Sequence, residues 1–265
     1  MRSHLRLVLS AVLCAFGSVH GARAEMGPCR KAYDGAILCG EGENAARVID
    51  GTISPSKRLA FAWRLPDGLP KAVPDDVELM LVRLADGAIL AELKGEYWDA
   101  GESHANREDE WAAWSRDSRM AVELYNDRWE VTITLYGLDA NDAVMAPVDL
   151  RKLVEEAVVA RFPGWGKGEL KDHALRAAQG SRFNKDGTLL LRVMVYIPKQ
   201  DPELKLDVIL QTQRKDNAVS AKVLSLRERI GIHGTDDFAR GLLVFRAFGP
   251  RRRGLARTRT YGKLT

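Results

Sequence analysis

Trp114-Ser115-Arg116-Asp117-Ser118-Arg119-Met120-Ala121-Val122-Glu123-Leu124-Tyr125 is the stretch on which the reading of this 265-residue chain turns. An apolar residue leads into a polar tetrad suited to a tight turn, and apolar side chains then recur along a strand. The arrangement occurs twice more, at Ile53-Ser54-Pro55-Ser56-Lys57-Arg58-Leu59-Ala60-Phe61-Ala62-Trp63 and at Phe183-Asn184-Lys185-Asp186-Gly187-Thr188-Leu189-Leu190-Leu191-Arg192-Val193-Met194-Val195. Further strands are expected after each unit. Residues 77–84 run through an Asp86-Gly87 turn into 88–93, 131–136 follow an Asn126-Asp127-Arg128 turn, and 206–213 turn at Lys215-Asp216-Asn217 into 219–226. Val131-Thr132-Ile133-Thr134-Leu135-Tyr136 alternates with period two, as a strand with one wet face does.

The residues from Trp114 to Val122 resemble the Trp-Ser-Pro-Asp-Gly-Lys-x-Ile-Ala core of TolB-like, Trp-Asp-type β-propeller repeat proteins. Residues 183–191 are similar, with Asn-Lys-Asp-Gly as the turn, and 54–61 form a looser third copy. The resemblance implies that each motif closes one strand and opens the next within a blade, and that the protein serves in protein–protein interaction. The fold expected is mainly β: meandering antiparallel sheets, related to a propeller that need not close into a ring, with one or two inserted helices.

The clear helix follows Pro147, where Leu150, Leu153, Val154, Ala157 and Val158 recur at i, i+3, i+4, i+7 and i+8 as a stripe for packing onto a sheet. Phe162-Pro163-Gly164 stops it, and a shorter helix is expected over 169–178. Residues 25–248 are read as a single β-rich domain. Leu242-Leu243-Val244-Phe245 suits a last strand, and 249–265 reads as a disordered basic tail.

The two ends of the chain differ from its body. Arg2 and Arg6 precede an apolar run from Leu7 to Phe16, and Ala22-Arg23-Ala24 supplies a small-residue cleavage site, so residues 1–24 read as a cleavable signal peptide cut after Ala24. The apolar run is about half the roughly 20 residues a spanning helix needs, and no later window reaches that length. A periplasmic or secreted location follows. Removing the leader takes Cys14 with it and leaves Cys29 and Cys39 as an even pair in an oxidising compartment. The Asp34-Gly35 turn midway between them can bring the two together as a structural disulfide, whereas a redox pair would be spaced Cys-x-x-Cys.

All 36 acids lie between Glu25 and Asp237, whereas three arginines sit in the first 24 residues and seven bases, with no acid, lie between Arg246 and Thr265. With those ten bases set aside, thirty of the 40 remain against 36 acids, a balance of −6, so the pI of 9.0 does not describe a basic domain. Nucleic-acid binding is not expected, because it needs bases gathered on a folded face. The tail, with Arg251-Arg252-Arg253, is suited at most to weak contact with an anionic surface.

Motifs for chemistry are sparse. The sequence has no Gly-x-Ser-x-Gly elbow, no His-Glu-x-x-His and no Walker loop, and no catalytic residue, metal ligand or cofactor is assigned. Glu169 and His173 share a helical spacing that an exposed surface pair explains. Asp139-Ala140-Asn141-Asp142 starts like a calcium loop, but Val144 and Leu150 stand where Gly and Glu are needed. Gly164-Trp165-Gly166-Lys167-Gly168 follows a helix instead of opening one, which favours a turn over an anion cradle. The most site-like stretch is 96–114, in which Tyr97, Trp98, Trp111 and Trp114 surround His104, Glu108, Asp109 and Glu110. Trp98, His104, Glu108 and Asp109 are candidate ligand-binding residues on a long loop; the competing reading makes Trp111 and Trp114 core anchors and the acids a solvated loop. Two functions stay open. One is an exported non-enzymatic protein that binds an envelope protein partner or a small ligand. The other is an exported hydrolase with a dispersed acid–base site around His104 and Glu108, Asp109 and Glu110.

Overall fold

In the computed structural model the three turn motifs share one construction. Lys57 N donates to Ser54 O, Ser118 N to Ser115 O and Gly187 N to Asn184 O, at 2.8, 2.9 and 3.1 Å. The residue that closes each turn has positive φ: 57° at Lys57, 59° at Ser118 and 84° at Gly187. This is the type I turn followed by a left-handed residue that joins antiparallel strands. In the first two copies the serine Oγ also accepts the N–H of the returning strand, from Leu59 at 3.1 Å and from Met120 at 2.8 Å. The third copy closes one residue earlier, with Asn184 N donating to Thr188 O.

The structure describes residues 26–42, 45–65, 77–95, 109–126, 131–162, 174–196, 204–215 and 217–229. The chain divides into two units, Met1–Arg229 and Ile230–Thr265, and every described residue belongs to the first. That unit is mainly β, with antiparallel sheets and one helix among the described residues. The first sheet has the order β1 (Cys29–Lys31), β2 (Ile37–Cys39), β3 (Ala46–Val48), β4 (Leu59–Arg64), β5 (Glu78–Arg83) and β6 (Ala88–Glu92). The second is built from β7 (Asp109–Trp114), β8 (Met120–Asn126), β9 (Val131–Gly137) and β10 (Val148–Asp149), paired in sequence order. The third comprises β11 (Ala174–Ala177), β12 (Arg182–Phe183), β13 (Thr188–Tyr196), β14 (Leu204–Lys215) and β15 (Ala218–Glu228). Here β11 and β12 both pair with β13, which continues to β14 and β15.

Each sheet is a meander of contiguous chain, and the three stack face to face in sequence order. Leu59, Phe61, Leu79 and Leu81 of the first sheet pack against Ala121, Tyr136 and Leu138 on one side of the second. Val122, Leu124, Val131, Ile133 and Leu135, on the other side, pack against Leu189, Leu191, Val193, Leu206 and Val208 of the third. The far face of the first sheet curls around a small cluster of its own, Val48, Ala60, Ala62, Met80 and Val82. Hydrogen bonds stitch the layers at the turns: Ser56 N donates to Ser118 Oγ at 2.9 Å and Trp114 Nε1 to Thr52 O at 2.7 Å.

Helix α1 (Leu150–Arg161) begins where Asp149 accepts a hydrogen bond from Lys152 N, and it buries Leu150, Val154 and Val158 against the layer between the second and third sheets, as its apolar stripe requires. The shorter helix expected over 169–178 is overturned for 174–177, which form β11 against β13 with Leu175 and Ala177 buried. Residues 169–173 lie outside the described residues, as do the glycine-rich 164–168, the 242–245 segment and the tail from 249. Cys29 and Cys39 stand directly opposite in the β1–β2 hairpin and are joined as a disulfide across 10 residues, with the Asp34-Gly35 turn between them. Among the described residues no helix is long and apolar enough to cross a membrane.

Candidate functional site

The layer between the first two sheets is mostly apolar, and two buried glutamates and a tyrosine lie along one diagonal of it. On β7, Glu110 shares a face with Ala112 and Trp114; on β8, Glu123 shares a face with Ala121 and Tyr125. The register sets Ala112 opposite Glu123 and Glu110 opposite Tyr125, so the two glutamates are diagonal neighbours. Tyr136 on β9 lies opposite Ala121 and completes the diagonal. Alternation of the strands turns all three side chains toward the first sheet.

Glu123 is held from three sides. Lys94 N and Gly95 N, just past the end of β6, donate to Oε1 at 2.7 and 2.6 Å, and Tyr136 Oη donates to Oε2 at 2.7 Å. Glu110 has no such support: only 5% exposed, it has no hydrogen-bond partner among the described residues for either carboxyl oxygen. Gly95 lets the parts come this close. A Cβ there would stand 2.7 Å from the Tyr125 ring and 3.1 Å from Glu110 Oε2, which no side chain at that position could tolerate.

Electrostatics divide the pair. Burial raises the Glu110 carboxyl well above the usual carboxylate range, and the Glu123 charge pushes it further. Burial raises Glu123 as well, but the Tyr136 hydroxyl, the Gly95 and Lys94 amides and the Lys94 charge oppose the rise. Burial first, then the Glu123 charge, raises the Tyr136 hydroxyl, so it stays a donor. Both carboxyls are raised, and the donors around Glu123 make it the better supported of the two as a carboxylate. With Glu123 fully buried, neither group is presented to bulk solvent.

Of the residues expected to bind a ligand, Trp98, His104 and Glu108 lie outside the described residues. Asp109 opens β7, where its backbone faces Asn126. Trp111 and Trp114 act as core anchors on opposite faces of β7: Trp111 packs toward the third sheet, and Trp114 toward the first, its ring 5.9 Å from that of Phe61. The Asp139–Asp142 turn is occupied by protein groups, since Asp139 Oδ1 accepts from Asn141 N and Ala143 N and Asp142 pairs with Arg58 at 2.9 Å. A hollow of about 360 Å³ lies between Trp111 and Leu124 on one side and Ala178, Gln179 and Ser181 on the other. Its lining has no titratable group, which suits it to contact and not to chemistry.

Glu123 escapes a motif search because its partner is thirteen residues away in sequence and meets it only through the β7–β8 register. The available signal is an acid on a strand whose neighbours are apolar on both faces. The chain matches no protein-family model, and no curated protein is significantly similar to it.

Proposed function

We propose that this is an exported β-rich protein, propeller-related in construction, that works by binding an envelope protein partner or a small ligand and not by catalysis. The observation that carries the non-catalytic reading is the sealing of Glu110 and Glu123, the pair among the described residues best divided into acid and base. Both are buried between two sheets, where no substrate meets them. Three meanders in series, each containing between two of its strands a turn closed by a left-handed residue, support the kinship with TolB-like blades. The Cys29–Cys39 disulfide, together with the leader-like first 24 residues, supports export.

The test is made on protein recovered from the periplasm of an expressing bacterium. Its mass is expected to begin at Glu25 and its unfolded, unreduced form to titrate no thiol; a retained Met1 or two free thiols would overturn export. The same protein is assayed on chromogenic esters, phosphoesters, glycosides and peptides, and used as bait in cell-envelope extract. No turnover and one saturable partner, retained equally by Glu110→Gln, are expected. Turnover that Glu110→Gln abolishes would instead establish the hydrolase.

A further inference from the structure

We infer that the outer face of the third sheet is a docking surface for an anionic phospholipid membrane. The inference is independent of the partner-binding reading and starts from strand register. Leu189, Leu191, Val193, Leu206, Val208 and Leu210 belong to the core shared with the second sheet, so alternation turns the residues between them outward. Arg176, Arg182, Arg192, Lys205, Lys222 and Arg227 then share the outer face. Their partners across the strands fix this: Met194 stands between Arg176 and Lys205, Leu190 opposite Arg182, Asp207 between Arg192 and Arg227, and Gln211 opposite Lys222. Among the described strand residues of this sheet, Asp207 is the one acid that alternation turns the same way.

Most of this charge is left for something outside the chain. Asp207 is matched by Arg192, whose Nε lies 3.6 Å from Oδ1. Lys205, Lys222 and Arg227 are exposed, and their side chains make no ion pair or hydrogen bond among the described residues. The longest strand here, β14, has 12 residues and spans roughly 40 Å, and neighbouring strands lie about 4.8 Å apart. The cations therefore form a broad open array, not a cradle for one small anion. No run of sequence shows it, because the six are interspersed with core residues and only pairing across the strands gathers them.

Sign selects an anionic counterpart, and apolar content selects a membrane. Met194 and Ile209 lie half-buried among the cations, and Leu224 is 52% exposed where β15 bulges opposite the Ile209–Leu210 step. Cations set around aliphatic side chains suit the boundary of a bilayer, where the charged heads meet phosphates and the apolar groups meet acyl chains. A polynucleotide offers the phosphates without the acyl chains. The balance of −6 between Glu25 and Phe245 does not oppose this contact. Charges are screened beyond about 8 Å at physiological salt, and the second and first sheets stand about 10 Å and about 20 Å behind the face.

The experiment is co-sedimentation of the mature, oxidised full-length protein with vesicles of phosphatidylcholine, alone or with about one-third phosphatidylglycerol, at physiological and at high salt. A face variant carrying Lys205→Gln, Lys222→Gln and Arg227→Gln is compared with a control of equal charge loss, Lys57→Gln, Arg116→Gln and Lys152→Gln, at exposed positions on two turns and on α1. The wild type is expected to bind only the anionic vesicles, and less at high salt. A cation at such a surface is worth about fivefold in partition, so the face variant should lose roughly tenfold or more and the control less than about threefold. Both variants should melt as the wild type does. A wild type that ignores anionic vesicles overturns the inference. So does a face variant that binds undiminished, which leaves the contact to the C-terminal tail, or an equal loss in the control, which makes it a matter of net charge. Retention on a short DNA duplex in place of the vesicles would assign the face to a polynucleotide and overturn the membrane.

Discussion

Glu110 holds its proton more tightly in the folded protein than in the unfolded chain, and this ties stability to pH. Its folded value lies well above the ordinary 4.5 because burial and the Glu123 charge both oppose ionisation. A raised value contributes stability that is fully present below the unfolded value and is lost as pH rises toward the folded one. The wild type should therefore lose stability relative to Glu110→Gln by up to about 1.4 kcal/mol for each pH unit above about 4.5, until Glu110 is ionised. Urea unfolding of both proteins from about pH 5 to about pH 8 measures this, and a difference that stays constant with pH would sink it. The pair itself was only half legible in the sequence. Glu110 stood among the acids of the 96–114 stretch, but Glu123 acquires its role only through cross-strand register, which no local pattern encodes.

The elements were more legible than the site, because turn chemistry and apolar periodicity are local. Ser115 and Asn184 open turns where the polar tetrads predict them, and Asp149 caps the helix that the 150–158 stripe requires. Residues 174–177 went the other way. Alanine and leucine favour a helix in isolation, but a free edge of β13 offers this short segment a full ladder, and tertiary pairing outweighs propensity. The shared turn also separates strain from function. Lys57 and Ser118 both adopt a left-handed conformation that costs a non-glycine residue roughly 1 kcal/mol. Lys57 is exposed, so Lys57→Gly should stabilise the protein by about 0.5–1 kcal/mol. Ser118→Gly removes the same strain but also the Oγ that accepts from Ser56 N, and should destabilise it by about 1 kcal/mol. Chemical denaturation of the two variants gives the signs; the same sign for both would show that the inter-turn bond contributes nothing.

At the scale of the whole molecule, stability rests on how the sheets dock. Asn126 ends β8 with its side-chain amide against the free edge of β11: Nδ2 donates to Ala177 O and Oδ1 accepts from Ala177 N, both at 2.9 Å. The amide stands in for a missing strand and joins the second sheet to the third. Asn126→Ala leaves a buried N–H and C=O unpaired and should cost about 2–4 kcal/mol in urea unfolding, far beyond an exposed substitution. The C-terminal segment from Gly249 carries six bases and few apolar residues. Truncation before Gly249 is therefore expected to leave the melting temperature unchanged and to reduce binding to anionic vesicles. A fall of several degrees would mean that the tail is packed.

The contiguity of the three meanders has a consequence for the order in which the molecule is made. The sheets draw their strands from 29–92, 109–149 and 174–228 in turn, so none waits for a distant piece of chain. A polypeptide that emerges amino-terminus first during its synthesis can finish each sheet as its own stretch appears. The face bearing Leu59, Phe61, Leu79 and Leu81 is then the ready-made template on which β7 to β9 assemble, and β8 and β9 in turn template the third sheet. Apolar surface stays bare only for the interval between successive deliveries, which limits the time in which a half-emerged chain can aggregate.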